Sequence, residues 1–198
     1  MPDTWRLFIA IELPREVREG LITIQTLLKK QAPRETVRWV NPDGIHLTLK
    51  FLGDAPLTQL DTLKTKLNEA VQNSTPFTLE ASGTGCFPHA RKPRVVWAGV
   101  HKAEDQLVAL RDSVEAQIAP LGYPTEDRAF SPHLTLGRVR QEARREDVER
   151  LGDLIAHTTL KEVYAWQVRS AHLIRSELEP TGAVYTTLYV APFPGAPH

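Results

Sequence analysis

The chain of 198 residues predicts an α+β fold of two pseudo-symmetric lobes, each an antiparallel sheet with helices outside, with a groove between them. Three observations carry this expectation. The tetrapeptide His-Leu-Thr-Leu stands at 46–49 and again at 133–136, an offset of 87 residues, and self-similarity at a fixed spacing marks a repeated structural unit. A strand precedes each copy at nearly the same distance, one around Phe8 and one around Val96, with a helix between. The last part of the chain offers strands with no helix between them, which favours antiparallel pairing over parallel crossovers.

The elements follow in order. Trp5 to Leu13 is apolar and strand-like, and Pro14 stops it at a position suited to opening a helix. That helix shows one face in Val17, Leu21, Ile24 and Leu28. Val37 to Val40 is a short strand, Asn41-Pro42-Asp43-Gly44 a turn, and Ile45 to Gly53 the next strand. A second helix is predicted from Thr58, with Thr58 as its cap and Leu60, Leu63, Leu67 and Val71 on one face. Phe77 to Phe87 and Arg94 to Val100 are strands around a turn-rich segment, Pro88 to Pro93. A third helix bears Leu107, Leu110, Val114 and Ile118, and His133 to Val139 is a strand. Arg144 to Arg150 opens a fourth helix, with Arg145–Glu149 and Glu146–Arg150 as four-residue ion pairs on a solvated face. Strands over Leu160 to Ile174 and Ala183 to Val190 finish the chain. No long linker divides it, so 1–198 reads as one domain.

Composition narrows the function. Lys+Arg and Asp+Glu both number 24, so the net charge is zero and any anion site must be local. The single Cys86 excludes an internal disulfide and a cysteine-based zinc site. No apolar run is long enough to cross a bilayer, and the opening residues do not read as a secretion signal. A soluble cytoplasmic protein is the expectation. Phosphate-loop, HExxH and dinucleotide glycine motifs are absent.

The repeated tetrapeptide carries the chemistry. Alternation along a strand puts His46 and Thr48 on one face and Leu47 and Leu49 on the other, and likewise His133 and Thr135 against Leu134 and Leu136. Two such faces across a groove suit in-line displacement at phosphorus: one imidazole takes a proton from the nucleophile, the other gives one to the leaving oxygen, and the hydroxyls stabilise the growing charge. No metal or cofactor is needed. The motif does not say which histidine is the acid. A single His-x-Thr on a polar strand face is ordinary; its recurrence within diverged flanks is not.

The sequence resembles the two-histidine (2H) phosphoesterases, in particular the RNA 2′,3′-cyclic phosphodiesterases also called 2′-5′ RNA ligases. RLFIAIELP, RWVNPDGIHLTLKFLGD, CFPHARKPRVVWAGV and FSPHLTLGRV carry the resemblance. It implies His46 as proton donor, His133 as proton acceptor, Thr48 and Thr135 as phosphate ligands, and Arg138 near the phosphate. It implies hydrolysis of an RNA 2′,3′-cyclic phosphate end, tRNA fragments among the substrates, to a 2′-phosphate by a monomer, and 2′-5′ ligation when a 5′-hydroxyl replaces water. Strict alternation points Arg138 away from His133 unless a bulge intervenes. The same rule points Lys50 with His46, as a candidate RNA contact. Arg91 and Lys92, with His89 and Arg94, form a basic loop suited to flanking phosphates. Trp39, Trp97, Phe51 and Phe87 are aromatics of which one can stack on a base. An idle RNA-end binder, and a phosphodiesterase of small cyclic phosphates or 2′-5′ oligonucleotides, are the alternatives.

Overall fold

Bulky β-favouring side chains from Leu7 to Ile11 make Thr4–Ile11 the first strand, β1, and Pro14 sits extended just before helix α1, Arg15–Gln31. The structure, a computed structural model, describes residues 3–126, 129–158, 162–179 and 182–195. The remaining elements are β2 (Val37–Trp39), β3 (Leu47–Pro56), α2 (Leu60–Val71), β4 (Phe77–Phe87), β5 (Val95–His101), α3 (Glu104–Ile118), β6 (His133–Val139), α4 (Arg145–His157), β7 (Tyr164–Val168), β8 (Ser170–Glu179) and β9 (Gly182–Pro192). The apolar faces predicted for α1 and α3 are buried, Val17, Leu21, Ile24 and Leu28 on the first and Leu107, Leu110, Val114 and Ile118 on the second; on α2, Leu63, Leu67 and Val71 are buried and Leu60 only partly.

Two antiparallel sheets result, one in the order β3-β1-β8-β9 and the other β2-β6-β5-β4-β7. The motif strands β3 and β6 correspond, as do their neighbours β1 and β5, so the second sheet repeats the first with β2 added outside β6. The lobes are not built each from its own repeat, however. Helix α1 follows β1 of the first sheet, leads into β2 of the second and packs on β7 of the second, while α3 connects β5 to β6 of the second and packs on α2 and β3 of the first. One contiguous apolar set joins both sheets to their helices, and a smaller one, Phe8, Ala10 and Ile174, lies on the opposite face of the first sheet with Tyr185 against it.

Three expectations need correction. Thr58 caps nothing: it lies in a 3₁₀ turn, Leu57–Gln59, that follows Pro56 and places Gln59 at the helix cap without a side-chain bond. The predicted strand over 160–174 is two strands in different sheets, β7 and β8, because the chain crosses between sheets at Arg169; residues 160–161 of that prediction lie outside the described residues. On α4, Arg145 and Glu149 pair at 2.8 Å as predicted, but Arg150 reaches Asp147, at 3.9 Å, rather than Glu146. No helix among the described residues is long and apolar enough to cross a membrane.

Candidate active site

Each motif histidine is fixed by its own approach loop. Asn41 caps the 3₁₀ turn Pro42–Gly44 by accepting from the Asp43 amide at 3.2 Å, and His46 leaves that turn with Nδ1 donating to the Gly44 carbonyl at 2.9 Å. His133 repeats the bond two residues back, Nδ1 donating to the Ser131 carbonyl at 2.7 Å. A proton committed to Nδ1 leaves Nε2 of each neutral ring as a free lone pair, ready to accept or, once protonated, to donate.

Their surroundings differ. The His46 ring stacks on Phe8 at 4.4 Å between centroids and meets Tyr185 edge-on at 5.0 Å; the ring of Tyr185 comes so close to Gly44 that a Cβ there would lie 2.9 Å from it. The His133 ring meets Phe87 edge-on at 4.9 Å. Burial lowers the pKa of both histidines, that of His46 to about 4; the Gly44 and Ser131 carbonyls oppose the shift, and at His46 so does the Glu12 carboxylate. The positive charge of Arg138 lowers both further, so one guanidinium acts on both histidines, and the motif strands β3 and β6 approach one another. The free site therefore holds two neutral imidazoles at pH 7.

A β-bulge decides what accompanies each histidine. In β6 the ladder pairs Thr135 with Trp97 and Gly137 with Val96, so Leu136 is the extra residue and alternation shifts by one. Thr135 is half-buried, Leu136 and Gly137 are buried and Arg138 is exposed, which returns Arg138 to the face of His133 and Thr135. The bulge is held from α1: Gln25, itself buried, donates from Nε2 to the carbonyls of Leu136 and Val40, each at 2.8 Å. β3 has the same bulge, pairing Ala10 with Thr48 and Ile9 with Lys50, which leaves Leu49 as the extra residue.

That second bulge overturns the reading of Lys50. It turns inward, 4% exposed, with Nζ bound to Glu115 of α3 at 2.5 Å and to the Pro124 carbonyl at 2.8 Å. Lys50 is a buried cation committed to the core and does not line the groove. Phe51 takes the outward position instead, 66% exposed and paired with Phe8. Arg91 and Lys92 are exposed on the loop after Phe87; the Ala90 carbonyl of that loop rests where a side chain on Gly152 of α4 would stand. Thr48, paired with Ala10, and Thr135 are half-buried beside their histidines.

Glu12 and Tyr185 escaped the sequence reading, since neither belongs to a motif. The only signal for Glu12 was its place just after β1, one step past the last residue paired with β3. Among the described residues no three His, Cys, Asp or Glu side chains converge as a metal site.

Comparison with known proteins identifies the family. The model of the LigT-like phosphoesterases matches twice, over residues 11–97 and 99–185, once per repeat. A protein of Methanothermobacter thermautotrophicus named RNA 2′,3′-cyclic phosphodiesterase is 34% identical over 185 residues, 93% of this chain and 97% of that one. One of the same name from Thermus thermophilus is 36% identical over 188 residues, 92% of this chain and 87% of that one. Among solved structures, E. coli LigT in complex with 3′-AMP superposes with a TM-score of 0.77 at 28% identity, covering 97% of this chain and 99% of that one. With the family model spanning both repeats and both motif strands, this chain belongs to the LigT-like phosphoesterases.

Proposed function

We propose that this protein is an RNA 2′,3′-cyclic phosphodiesterase that works by metal-independent acid–base catalysis, with His133 as base and His46 as acid. The observation that carries the reading is the pair of imidazoles, each with Nδ1 tied to a backbone carbonyl and both under the charge of one arginine. His133 Nε2 takes a proton from water as its oxygen bonds to phosphorus. The bond from phosphorus to the 3′ oxygen breaks, and His46 Nε2 protonates that oxygen, leaving a 2′-phosphomonoester. Arg138, Thr48 and Thr135 donate to the non-bridging oxygens as their charge grows. The bound phosphate anion opposes the burial that lowers the histidine pKa values, so His46 gains its proton once substrate is present.

In-line geometry supports the direction. The leaving oxygen belongs to the same ribose as the base, so ribose and base lie on the acid's side of phosphorus. The His46 side carries an aromatic row, Phe51, Phe8 and Tyr185, in which Phe51 presents an open ring. A nucleobase stacks there, with Arg91 and Lys92 left for flanking phosphates. The aromatic row favours a nucleotide end over a small cyclic phosphate that lacks a base. With a 5′-hydroxyl RNA end in place of water, the same steps form a 2′-5′ linkage. The reading extends to a cytoplasmic monomer acting on RNA ends such as tRNA fragments.

The test is phosphorus NMR of a 2′,3′-cyclic-phosphate RNA incubated with the protein in EDTA. A 2′-monophosphate signal is expected from the wild type, with rates at least about 100-fold lower for His46→Ala and His133→Ala. An unchanged cyclic phosphate overturns the reading in favour of a binder. Undiminished turnover by either variant overturns the two-histidine mechanism.

A further inference from the structure

The ladder that joins the first two strands of one sheet runs Ala10 opposite Thr48 and Ile11 opposite Leu47. That register, carried one step beyond the ends of both strands, puts Glu12 opposite His46, on the face that Ala10 and Thr48 share. The corresponding ladder in the other sheet places Gly99 opposite His133. No side chain fits there: a Cβ on Gly99 would lie 2.7 Å from the His101 ring and 2.9 Å from the Ser82 carbonyl. One catalytic histidine thus faces a carboxylate and the other faces bare backbone.

Glu12 is held where it stands. The hydroxyl of Thr187 donates to its Oε1, and the same oxygen lies 3.4 Å from His172 Nδ1, too far for a good hydrogen bond to a ring whose pKa burial lowers. His172 is oriented by Ser170 Oγ at 2.8 Å from Nε2, and it pairs with Ala10, so the array crosses the groove floor beside Thr48. The groups that face His46 are Glu12, Arg138, Phe8 and Tyr185; those that face Glu12 are His46, His172 and Thr187. His133 faces Arg138, Phe87 and the Ser131 carbonyl.

We infer that Glu12 is the positioning residue that makes His46 the proton donor: its carboxylate stabilises the imidazolium of His46, and the Thr187 hydroxyl holds that carboxylate in place. Glu12 takes no proton in the reaction; the proton on His46 Nε2 passes to the departing oxygen. Glu12 raises the pKa of His46, against burial and Arg138, as this role requires. The inference rests on the phosphodiesterase reading for its catalytic meaning but not for its physical content.

The experiment follows the histidine ring signals of the full chain by NMR across pH, without substrate, in the wild type, Glu12→Gln and Glu12→Asp, beside kcat/KM on the cyclic-phosphate RNA. Gln keeps an acceptor for Thr187 and removes the charge. His46 is expected to titrate lower in Glu12→Gln with His133 unmoved, and kcat/KM to fall by the matching factor, about 3- to 10-fold for a partly exposed neighbouring charge. Glu12→Asp loses less of both. An unmoved His46 titration, an equal shift at His133, or Glu12→Asp as impaired as Glu12→Gln overturns the inference. Failure of the wild type to turn over the RNA overturns the phosphodiesterase reading alone, since the titration still decides what Glu12 does to His46.

Discussion

The two repeats share a backbone device and put it to different ends. After each His-Leu-Thr-Leu a bulge shifts alternation by one, so the fourth residue after the motif histidine turns inward and the fifth turns out into the groove. In the first repeat those residues are Lys50 and Phe51; in the second they are Gly137 and Arg138. The outward pair differs in chemistry, an exposed aromatic ring in one repeat and an exposed cation in the other. The inward pair is divided by packing. Lys50 has room to reach Glu115, whereas a Cβ on Gly137 would lie 2.5 Å from Val37 of β2, the strand that the first sheet lacks. A repeated scaffold thus keeps its motif histidines alike while their neighbours differ.

Substitutions at these positions break the comparison in order of size. Arg138→Ala removes the cation proposed to meet the phosphate and should lower kcat by about 100- to 1,000-fold in steady-state assays. Lys50→Met leaves Glu115, which sits 3.7 Å from Arg111, without its close buried partner; urea unfolding should show a loss of about 3 kcal/mol, with the kinetics of the folded enzyme little changed. Phe51→Ala should raise KM by about tenfold with kcat nearly constant, as expected for a stacked base.

The smallest effect lies in pH dependence. Both histidines titrate below 6.5 in the free site, so kcat/KM should peak on the acid side of 6.5, and a residual-activity Arg138→Ala enzyme should peak at higher pH because the charge that lowers both is gone. The same shift bears on stability. His46 is neutral in the fold down to about pH 4 but takes a proton at about 6.5 in the unfolded chain, so stability attributable to it falls as pH drops between those values. Acid unfolding followed by circular dichroism should show that slope, reduced in a His46→Ala variant.

Much of this was legible in the sequence. The repeat gave the two-lobed α+β plan, and alternation gave the shared face of His46 with Thr48 and of His133 with Thr135. Alternation failed at Lys50 and Arg138 for one reason: a bulge adds a residue without leaving a mark in the hydrophobic pattern, and Leu49-Lys50 and Leu136-Gly137 look like continuing strand. Glu12, Thr187, His172 and Tyr185 were invisible for another. They meet through the pairing of β1 with β8 and of β8 with β9, long-range registers that no local spacing encodes.

The exchange of helices between the sheets has a mechanical result. Each traded helix is riveted to the other repeat's motif strand at its bulge, α1 by Gln25 on the Leu136 carbonyl and α3 by Glu115 on Lys50. The halves are braced like crossed struts, and pulling them apart would strip a helix from each core. Opening the molecule between its halves would therefore disrupt two helix contacts at once, each made at a motif strand.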